Sequence, residues 1–223
     1  SLEGDQSRTH AALYLGGEFH SDLVPFRISV YPSLRYDNYS SIGNAVSPKL
    51  GLNVRYASDA ANSLTTFGLA LHSTLGKNFR APTFNELYYA GSGGRGNLNL
   101  NPEHSMSFDA GLTLNYSLLG LQEVDVTYYT ITTDDRIQWL PTSVVSIWSP
   151  INIGKTQSYG VEVEYRWSPL PEYLSLEGNY STIDARKRLS AFPNDQSFNK
   201  QLIYVPLETG NVALNATLPV SEG

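Results

Sequence analysis

Apolar and polar residues alternate along most of this chain of 223 residues. The alternation is clearest in residues 104–116 and is repeated in residues 159–168. Successive side chains of a β-strand point to opposite faces, so a period of two predicts strands with one apolar and one polar face. Weaker copies of the pattern predict seven more strands, at residues 9–19, 26–37, 46–56, 64–75, 121–133, 173–183 and 208–218. We therefore expect an all-β chain of about nine strands, with no helix.

The lengths of the predicted strands and of their connections favour a membrane barrel. Many strands reach ten residues, whereas a soluble strand has about five or six and a tilted membrane-crossing strand needs about 9–11. Short connections are predicted at residues 20–25, 57–63, 117–120 and 168–172. Long connections are predicted between them, at residues 38–45, 76–103, 134–153 and 184–207. Outer-membrane barrels have short turns on one side and long loops on the other. The pattern predicts an antiparallel up-and-down meander that forms part of a transmembrane β-barrel.

The side chains at the polar parity and at the strand ends leave two interpretations open. Charged and titratable residues share the polar parity, namely Arg27, Arg35, Asp37, Arg55, His72, Asp109, Glu162, Glu164 and Arg166. Aromatic residues stand near both ends of the apolar parity, namely Phe19, Tyr36, Tyr56, Tyr116, Tyr165, Trp167 and Tyr180. In a wide barrel these are a wet interior and the interfacial aromatic girdles. In a soluble β-sandwich binding module the charged face would meet solvent, and the aromatic rings would belong to the core.

Composition narrows the class of protein further. The chain has no cysteine, which excludes disulfides and thiolate metal sites. Its net charge of -6 argues against a nucleic-acid partner, because such proteins present a basic face. No apolar run is long enough for a transmembrane helix, which needs about 18 residues. Residues 1–2 and 222–223 are expected to derive from an expression vector, which leaves residues 3–221 as one partial barrel domain.

Two ordered motifs carry a resemblance to a known family. Residues 76–83 read GKNFRAPT, residues 85–88 read NELY, and residues 96–105 read GNLNLNPEHS. These segments resemble the paired boxes of TonB-dependent outer-membrane receptors, apart from Leu98, where the family has proline. Further segments resemble the family in the same order, namely LRYD at 34–37, SPKLGL at 47–52 and YGVEVEY at 159–165.

The resemblance implies a 22-stranded barrel closed around an N-terminal plug in the bacterial outer membrane. It implies energised uptake of a scarce ligand, with a ferric siderophore as the first expectation and cobalamin, another metal or a carbohydrate as alternatives. The expected partners are outer-membrane lipid, a small-molecule chelate and the TonB complex, which would be reached through N-terminal parts outside this chain. Because a nine-strand piece has two unpaired edges, we expect the isolated chain to self-associate.

The motifs and long loops supply the candidate site residues. The family signature positions are expected to be mainly structural, because a long loop must satisfy its own backbone groups, although they also shape the mouth. They are Phe79, Arg80, Ala81, Pro82, Thr83, Glu86, Leu87, Asn97, Leu100, Pro102 and Glu103. Loop aromatics and an arginine form a second set, Tyr88, Tyr89, Arg95, Trp139 and Trp148. These side chains could hold a flat anionic chelate by stacking and cation–π contact, or could simply pack loop on loop.

The sequence gives no clear sign of catalysis or of a resident cofactor. There is no Gly-x-Ser-x-Gly motif and no glycine-rich loop followed by Lys-Ser/Thr, so no catalytic residue or cofactor is assigned. The four histidines show no metal-ligand spacing, and residues 83–96 contain none. The family's haem receptors have a histidine there, which argues against haem, and no metal site is predicted. A barrel esterase, with a serine and a histidine on neighbouring strands, is a third alternative, although no particular pair stands out.

Overall fold

Long antiparallel strands follow one another along most of the chain. The computed structural model describes residues 5–57, 67–142, 147–189 and 197–217. The elements, in chain order, are β1 (His10–Gly16), β2 (Phe19–Leu23), β3 (Phe26–Tyr39), β4 (Gly43–Ala57), β5 (Phe67–Arg80), α1 (Phe84–Tyr88), β6 (Ala90–Gly91), β7 (Gly94–Arg95), β8 (Glu103–Ser117), β9 (Leu121–Asp134), β10 (Ile137–Pro141), β11 (Trp148–Asn152), β12 (Lys155–Leu170), β13 (Leu174–Leu189) and β14 (Glu208–Ala216).

The strands form one large meander and one small sheet. The large sheet runs β1-β3-β4-β5-β8-β9-β12-β13-β14, and β2 also pairs with β3. All its pairings are antiparallel, and each long strand pairs with its neighbours along the chain. In the part of the chain that the structure describes, the sheet does not close on itself. The all-β, antiparallel meander that the alternation predicts is confirmed.

Side chains of the apolar parity line up across the large sheet and are exposed or half-buried. A single row crosses seven strands, formed by Ile28, Val54, Leu71, Leu112, Val126, Val163 and Tyr180. Leu71, Leu112 and Val126 in the middle of this row are 46%, 45% and 43% exposed. A soluble sandwich would bury such a row against a second sheet, so the exposed row argues against that alternative.

The opposite face carries hydrogen-bonded polar side chains. Thr113 Oγ1 and Thr127 Oγ1 donate to the two carboxylate oxygens of Asp125, at 2.6 and 2.8 Å. His72 Nε2 lies 3.1 Å from Thr127 Oγ1. Polar groups that lose water are expected to find such partners. The two faces of the sheet therefore differ in chemistry, as the period of two indicates.

Hydrogen bonds near the short connections fix several of the aromatic side chains at that end of the sheet. The hydroxyls of Tyr116 and Tyr165 both reach Gln122 Oε1, at 2.6 and 2.9 Å. Trp167 Nε1 donates to Leu119 O at 2.9 Å. Each of these rings therefore has its polar atom hydrogen-bonded at the end of the apolar face.

Several predicted connections differ from the structure. The predicted long connection 38–45 is wrong, because β3 and β4 are separated only by residues 40–42. Gly43, with a φ of +92°, adopts the left-handed conformation that such a tight reversal needs. The predicted short connection 20–25 is also wrong in extent, because β2 occupies most of it and only Val24 and Pro25 separate β2 from β3. Predicted strand 9–19 is interrupted at residues 17–18.

The long connections contain structure that the alternation does not predict. Strand β5 continues through Arg80 and β13 through Leu189, into segments predicted as loops. The predicted connection 134–153 contains the hairpin β10–β11, which joins β7 and β6 in the small sheet of order β10-β11-β7-β6. The predicted connection 57–63 lies outside the described residues except for residue 57, and part of 184–207 does as well.

A short helix, α1, corrects the expectation that the chain has none. Thr83 Oγ1 accepts from Glu86 N at 3.2 Å, and Glu86 Oε2 accepts from Thr83 N at 2.8 Å. This reciprocal capping box satisfies backbone donors at the helix start. Among the described residues, no helix is both long enough and apolar enough to cross a membrane.

The buried core lies where the loops cover one end of the large sheet. Ile153, Ala185 and Leu202 are at most 8% exposed, and four partly buried residues pack around them, namely Leu140, Ile151, Ile183 and Val205. Ala185 has the parity of the polar face, so loop residues cover that face at the end with the long connections. This packing positions the loops that form the candidate site.

Candidate functional site

An arginine between two glutamates connects the first signature box (residues 76–88) to the second (residues 96–105). Arg80 and Glu103 are direct partners in the β5–β8 ladder, and Arg80 Nη2 donates to Glu103 Oε1. Arg80 Nη1 donates to both oxygens of Glu86, at 3.1 and 3.0 Å. Because Glu86 also caps α1, one guanidinium joins the sheet to the helix. Such charge-assisted hydrogen bonds are stronger than neutral ones.

Glu103 extends this network to the hairpin. Its Oε1 also accepts from Ile137 N, at 2.7 Å, where β10 begins. Burial alone would raise the pKa of the Glu103 carboxyl, but the bonds from Arg80 and Ile137 and the charges of Arg80 and Arg136 outweigh it. The pKa of Glu103 therefore lies below its ordinary value. The pKa of Arg80 is raised, chiefly by its hydrogen bond to Glu103.

Arg8 is a second arginine at the first box, and the sequence motifs do not indicate it. Its Nη1 donates to Pro82 O at 2.9 Å, and its guanidinium carbon lies 5.0 Å from the Phe84 ring centroid and 5.9 Å from that of Tyr39. Pro82 itself is fully buried. A cation that lies between two rings is stabilised by their quadrupoles. Arg8 therefore stabilises the turn between β5 and α1.

The other residues of the first box lie around this turn. Phe79 lies between Tyr39 and His104, with ring centroids 5.8 and 5.3 Å away. Ala81 and Pro82 connect β5 to the capping residue Thr83. Leu87 N donates to Thr83 O at 3.1 Å and completes the single turn of α1.

The second box is joined to the hairpin and to α1 by hydrogen bonds. Asn97 N donates to Glu86 O at 2.8 Å, and Asn97 Nδ2 donates to Pro150 O at 3.1 Å. Asn152 and Asn101 bond to each other twice, at 2.9 and 3.0 Å, immediately before Pro102. Leu100, also in the second box, is buried, at 9% exposure. These hydrogen bonds connect the second box to the hairpin and to α1.

Three of the five predicted ligand residues, Tyr89, Trp139 and Trp148, line an open groove of about 560 Å³, the aromatic groove. Tyr89 and Trp139 meet edge to face, with centroids 5.9 Å apart, and Trp148 N donates to Gly93 O at 3.0 Å. The described residues that line the groove are Thr83, Asn85, Glu86, Tyr89, Gly93, Gly94, Trp139 and Trp148. Aromatic faces with a few hydrogen-bonding groups suit a flat organic ligand.

The other two predicted ligand residues lie outside this lining. Tyr88 packs against Phe84, with centroids 6.0 Å apart. Arg95 pairs with Ala90 in the small sheet, and its side chain is exposed beside groove residue Gly94. The sequence motifs do not mark Thr83, Asn85 or Glu86 as groove residues, because Trp139 and Trp148, which complete the groove, stand more than 50 residues further along the chain.

The charge of the groove limits the ligands that it suits. Glu86 is its only charged lining residue among the described residues, and Arg80 already pairs with that carboxylate. No lysine or arginine of the described chain lines it. An anionic ligand bound there would lose hydrating water, and no cation of the lining would offset that desolvation cost. The lining therefore favours a ligand without net negative charge.

The polar face offers no activated nucleophile at His72. The Thr127 hydroxyl donates its proton to Asp125 at 2.8 Å, so at His72 it acts as an acceptor. A nucleophile must instead be able to pass its proton to the histidine. His72, Asp125 and Thr127 therefore form hydrogen-bonded contacts within the polar face of the sheet.

Comparison with known proteins gives a family match over nearly the whole chain. A model described as "TonB dependent receptor-like, beta-barrel" matches residues 1–219. The chain is 32% identical over 157 residues to the vitamin B12 transporter BtuB of Vibrio vulnificus, covering 70% of this chain and 22% of that protein. It is 27% identical over 178 residues to the vitamin B12 transporter BtuB of Photobacterium profundum, covering 78% and 27%. The chain thus spans about a quarter of the length of these relatives.

Solved structures share the fold at lower identity. The siderophore receptor PirA from Acinetobacter baumannii superposes with a TM-score of 0.62 at 16% identity, covering 97% of this chain and 33% of that one. PirA from Pseudomonas aeruginosa gives a TM-score of 0.59 at 23% identity, covering 80% and 32%. These matches concern the fold of the strands and loops described above.

Proposed function

Because the chain belongs to the TonB-dependent receptor-like β-barrel family, we propose that it forms part of the wall and outer mouth of an outer-membrane uptake receptor. The observation that carries this proposal is the continuous meander of 14- to 16-residue strands, β3 to β5, β8, β9, β12 and β13, with an exposed apolar face. Strands of this length cross a hydrocarbon layer at a tilt.

Energy for uptake would come from the TonB complex through parts of the receptor outside this chain. The loops at the Arg80 end would face the exterior and receive the ligand. The first test asks where the protein lies in the cell and whether ligand uptake depends on TonB. The full-length protein should be recovered in the outer-membrane fraction, and uptake of its ligand should stop in cells that lack TonB. Recovery in a soluble fraction would contradict the proposal.

For the ligand, we propose vitamin B12 or a closely similar neutral, amide-bearing macrocycle. The relatives with the higher sequence identity are vitamin B12 transporters, and the groove lining has aromatic faces, Asn85 and Thr83 but no cation among the described residues. Large planar surface and amide groups match that lining. Tyr89, Trp139 and Trp148 would contact the macrocycle.

A ferric siderophore is the second candidate, favoured by one observation. Arg95 is exposed directly beside groove residue Gly94 and could supply the cation that an anionic chelate requires. The two candidates are separated by calorimetric titration of the full-length protein with cyanocobalamin and with ferric enterobactin. Binding of cyanocobalamin alone supports the first candidate. Binding of ferric enterobactin alone, lost in Arg95→Ala, would replace it with the second.

A further inference from the structure

A second groove of about 590 Å³ lies on the exposed, apolar face of the large sheet. Its floor includes Leu75, Met106 and Phe108, which are 42%, 50% and 38% exposed. These side chains belong to the same parity as the apolar row that crosses the sheet. The groove is therefore separate from the aromatic groove of the loops and faces away from the polar side.

The position of this groove along the strand places it at one edge of the apolar band. Met106 and Tyr116 stand ten residues apart on β8, and Tyr116 lies at the end with short connections. At about 3.4 Å per residue and a tilt of about 35–45°, ten residues rise roughly 24–28 Å. The apolar band of an outer-membrane barrel is about 25 Å tall. Met106 thus lies where hydrocarbon gives way to lipid headgroups.

The rim of the groove at that level is basic. Lys77 is the direct ladder partner of Met106, and its side chain is exposed. Among the described residues, no carboxylate lies within ion-pair distance of Lys77. Lys155 also lines the rim, where its Nζ lies 3.4 Å from Asp134 Oδ1, with both side chains largely exposed. His104 adds a ring nitrogen. Two lysines against one aspartate leave a net positive rim.

We propose that this groove binds a membrane lipid with an anionic phosphate headgroup, in the leaflet on the loop side. The acyl chains would lie on Leu75, Met106 and Phe108, and the phosphate would bind Lys77 with support from Lys155. Basic side chains at this depth attract anionic headgroups at close range. The inference rests on the proposed placement of the chain in a membrane, and it assigns the groove to a lipid because its floor is continuous with the apolar face.

The experiment is native mass spectrometry of the full-length protein in detergent micelles, with dioleoyl phosphatidic acid or dioleoyl phosphatidylcholine added in turn. We expect preferential retention of phosphatidic acid. Lys77→Ala should weaken that retention about fivefold, which is the contribution to binding expected of one lysine near a headgroup. Lys77→Arg keeps the charge and should preserve the retention. Lys49→Ala is the matched control. It removes the same charge from the neighbouring strand β4, where Lys49 pairs with Gly76, on the polar face.

Equal retention of the two lipids by the unaltered protein would overturn the inference, and so would equal loss in Lys77→Ala and Lys49→Ala. Either result in a protein that still enters the outer membrane and binds its ligand refutes the lipid site alone. A protein that never enters the outer membrane refutes the proposed function instead. Inorganic phosphate that displaces phosphatidic acid at equal concentration would also overturn it, because the acyl chains would then contribute nothing.

Discussion

Glu103 and Arg80 face each other across the β5–β8 ladder and are joined by a hydrogen bond from the guanidinium to the carboxylate. The same carboxylate oxygen accepts the backbone N–H of Ile137. One residue pair therefore connects the barrel wall to the hairpin that carries Trp139, and through Glu86 to the helix that precedes Tyr89. The aromatic groove depends on a network that lies outside its own lining, apart from Glu86.

Arg80→Met is expected to destabilise the protein and loosen the loops. The substitution leaves Glu86 and Glu103, only 12% and 15% exposed, without their cation. Breaking a fully buried pair costs roughly 3–5 kcal/mol, and we expect about 2 kcal/mol because Arg80 is 40% exposed. Urea unfolding in lipid nanodiscs measures this. Arg95→Met, at an exposed position, should change stability by less than about 0.5 kcal/mol, and equal effects would contradict the role given to Arg80.

The same network predicts a pH dependence. The pKa of Glu103 is lowered in the folded state, so its contribution to stability is present above the ordinary glutamate pKa of about 4.3 and is lost as the pH falls through the folded value. Glu103→Gln should therefore lower Tm at pH 7, and its Tm should approach that of the unaltered protein as the pH is lowered below 4. A Tm difference that stayed constant from pH 7 to pH 3 would contradict this mechanism.

Gly96→Ala is expected to displace the second box. A Cβ at Gly96 would lie 2.5 Å from Leu87 O and 2.7 Å from Tyr88 N, both backbone atoms of α1. The backbone must move to relieve such contacts, at a cost of about 1–3 kcal/mol. Gly93→Ala is the control, because nothing lies within 4 Å of a Cβ there. Protease cleavage within residues 84–97 should rise for Gly96→Ala only. Similar cleavage of both variants would show that the close approach at Gly96 is unimportant.

The sequence predicts the long strands of this protein better than the loops that form the aromatic groove. Alternation over ten or more residues determines which side chains of a strand share a face, and it places Leu112 and Val163 on the apolar face. The register that aligns them in one row comes from the strand pairing. The error at residues 38–45 has a local cause, since polar residues such as Asn38 and Asn44 continue the strands up to a tight turn at Gly43. Pattern alone does not separate a polar strand end from a loop.

The aromatic groove depends on contacts between segments that are distant along the chain. Tyr89, Trp139 and Trp148 come together because β11 pairs with β7, a parallel bridge between Trp148 and Gly94. Residue types identify these aromatics as candidates, but nothing in their spacing predicts that bridge. Arg8 is harder to find, because it lies 74 residues from its partner Pro82 and outside both motifs. Its role follows only once β1 is placed beside β3.

Trp139→Ala should weaken ligand binding while leaving the barrel intact. The Trp139 ring lines the groove and packs edge to face on Tyr89, so its loss removes a stacking surface. We expect affinity for cyanocobalamin to fall about tenfold, equivalent to about 1.4 kcal/mol. Titration calorimetry on the full-length protein measures this. Tyr173→Ala, at the end with short connections, should leave affinity unchanged. If both variants bind as tightly as the unaltered protein, the groove is not the ligand site.

Unpaired edges should make the isolated chain associate with itself. In the described residues β14 has a partner on one side only, and its Val212 and Leu214 are 75% and 68% exposed. Unpaired backbone groups on an apolar strand are a template for another strand. Detergent covers the apolar face but leaves the edges free, so we expect dimers or larger species by sedimentation even in micelles.

Two variants separate edge pairing from association through the apolar face. Lysines at the edge positions, in Val212→Lys with Leu214→Lys, should favour monomers in micelles, because charged side chains on an edge strand oppose further pairing. Val161→Lys with Val163→Lys places the same two charges on the same face but in β12, which is paired on both sides, and should leave the oligomer intact. A monomer in plain buffer, free of detergent, would contradict both the edge argument and the membrane-facing assignment of the apolar row, since neither surface would then need a partner.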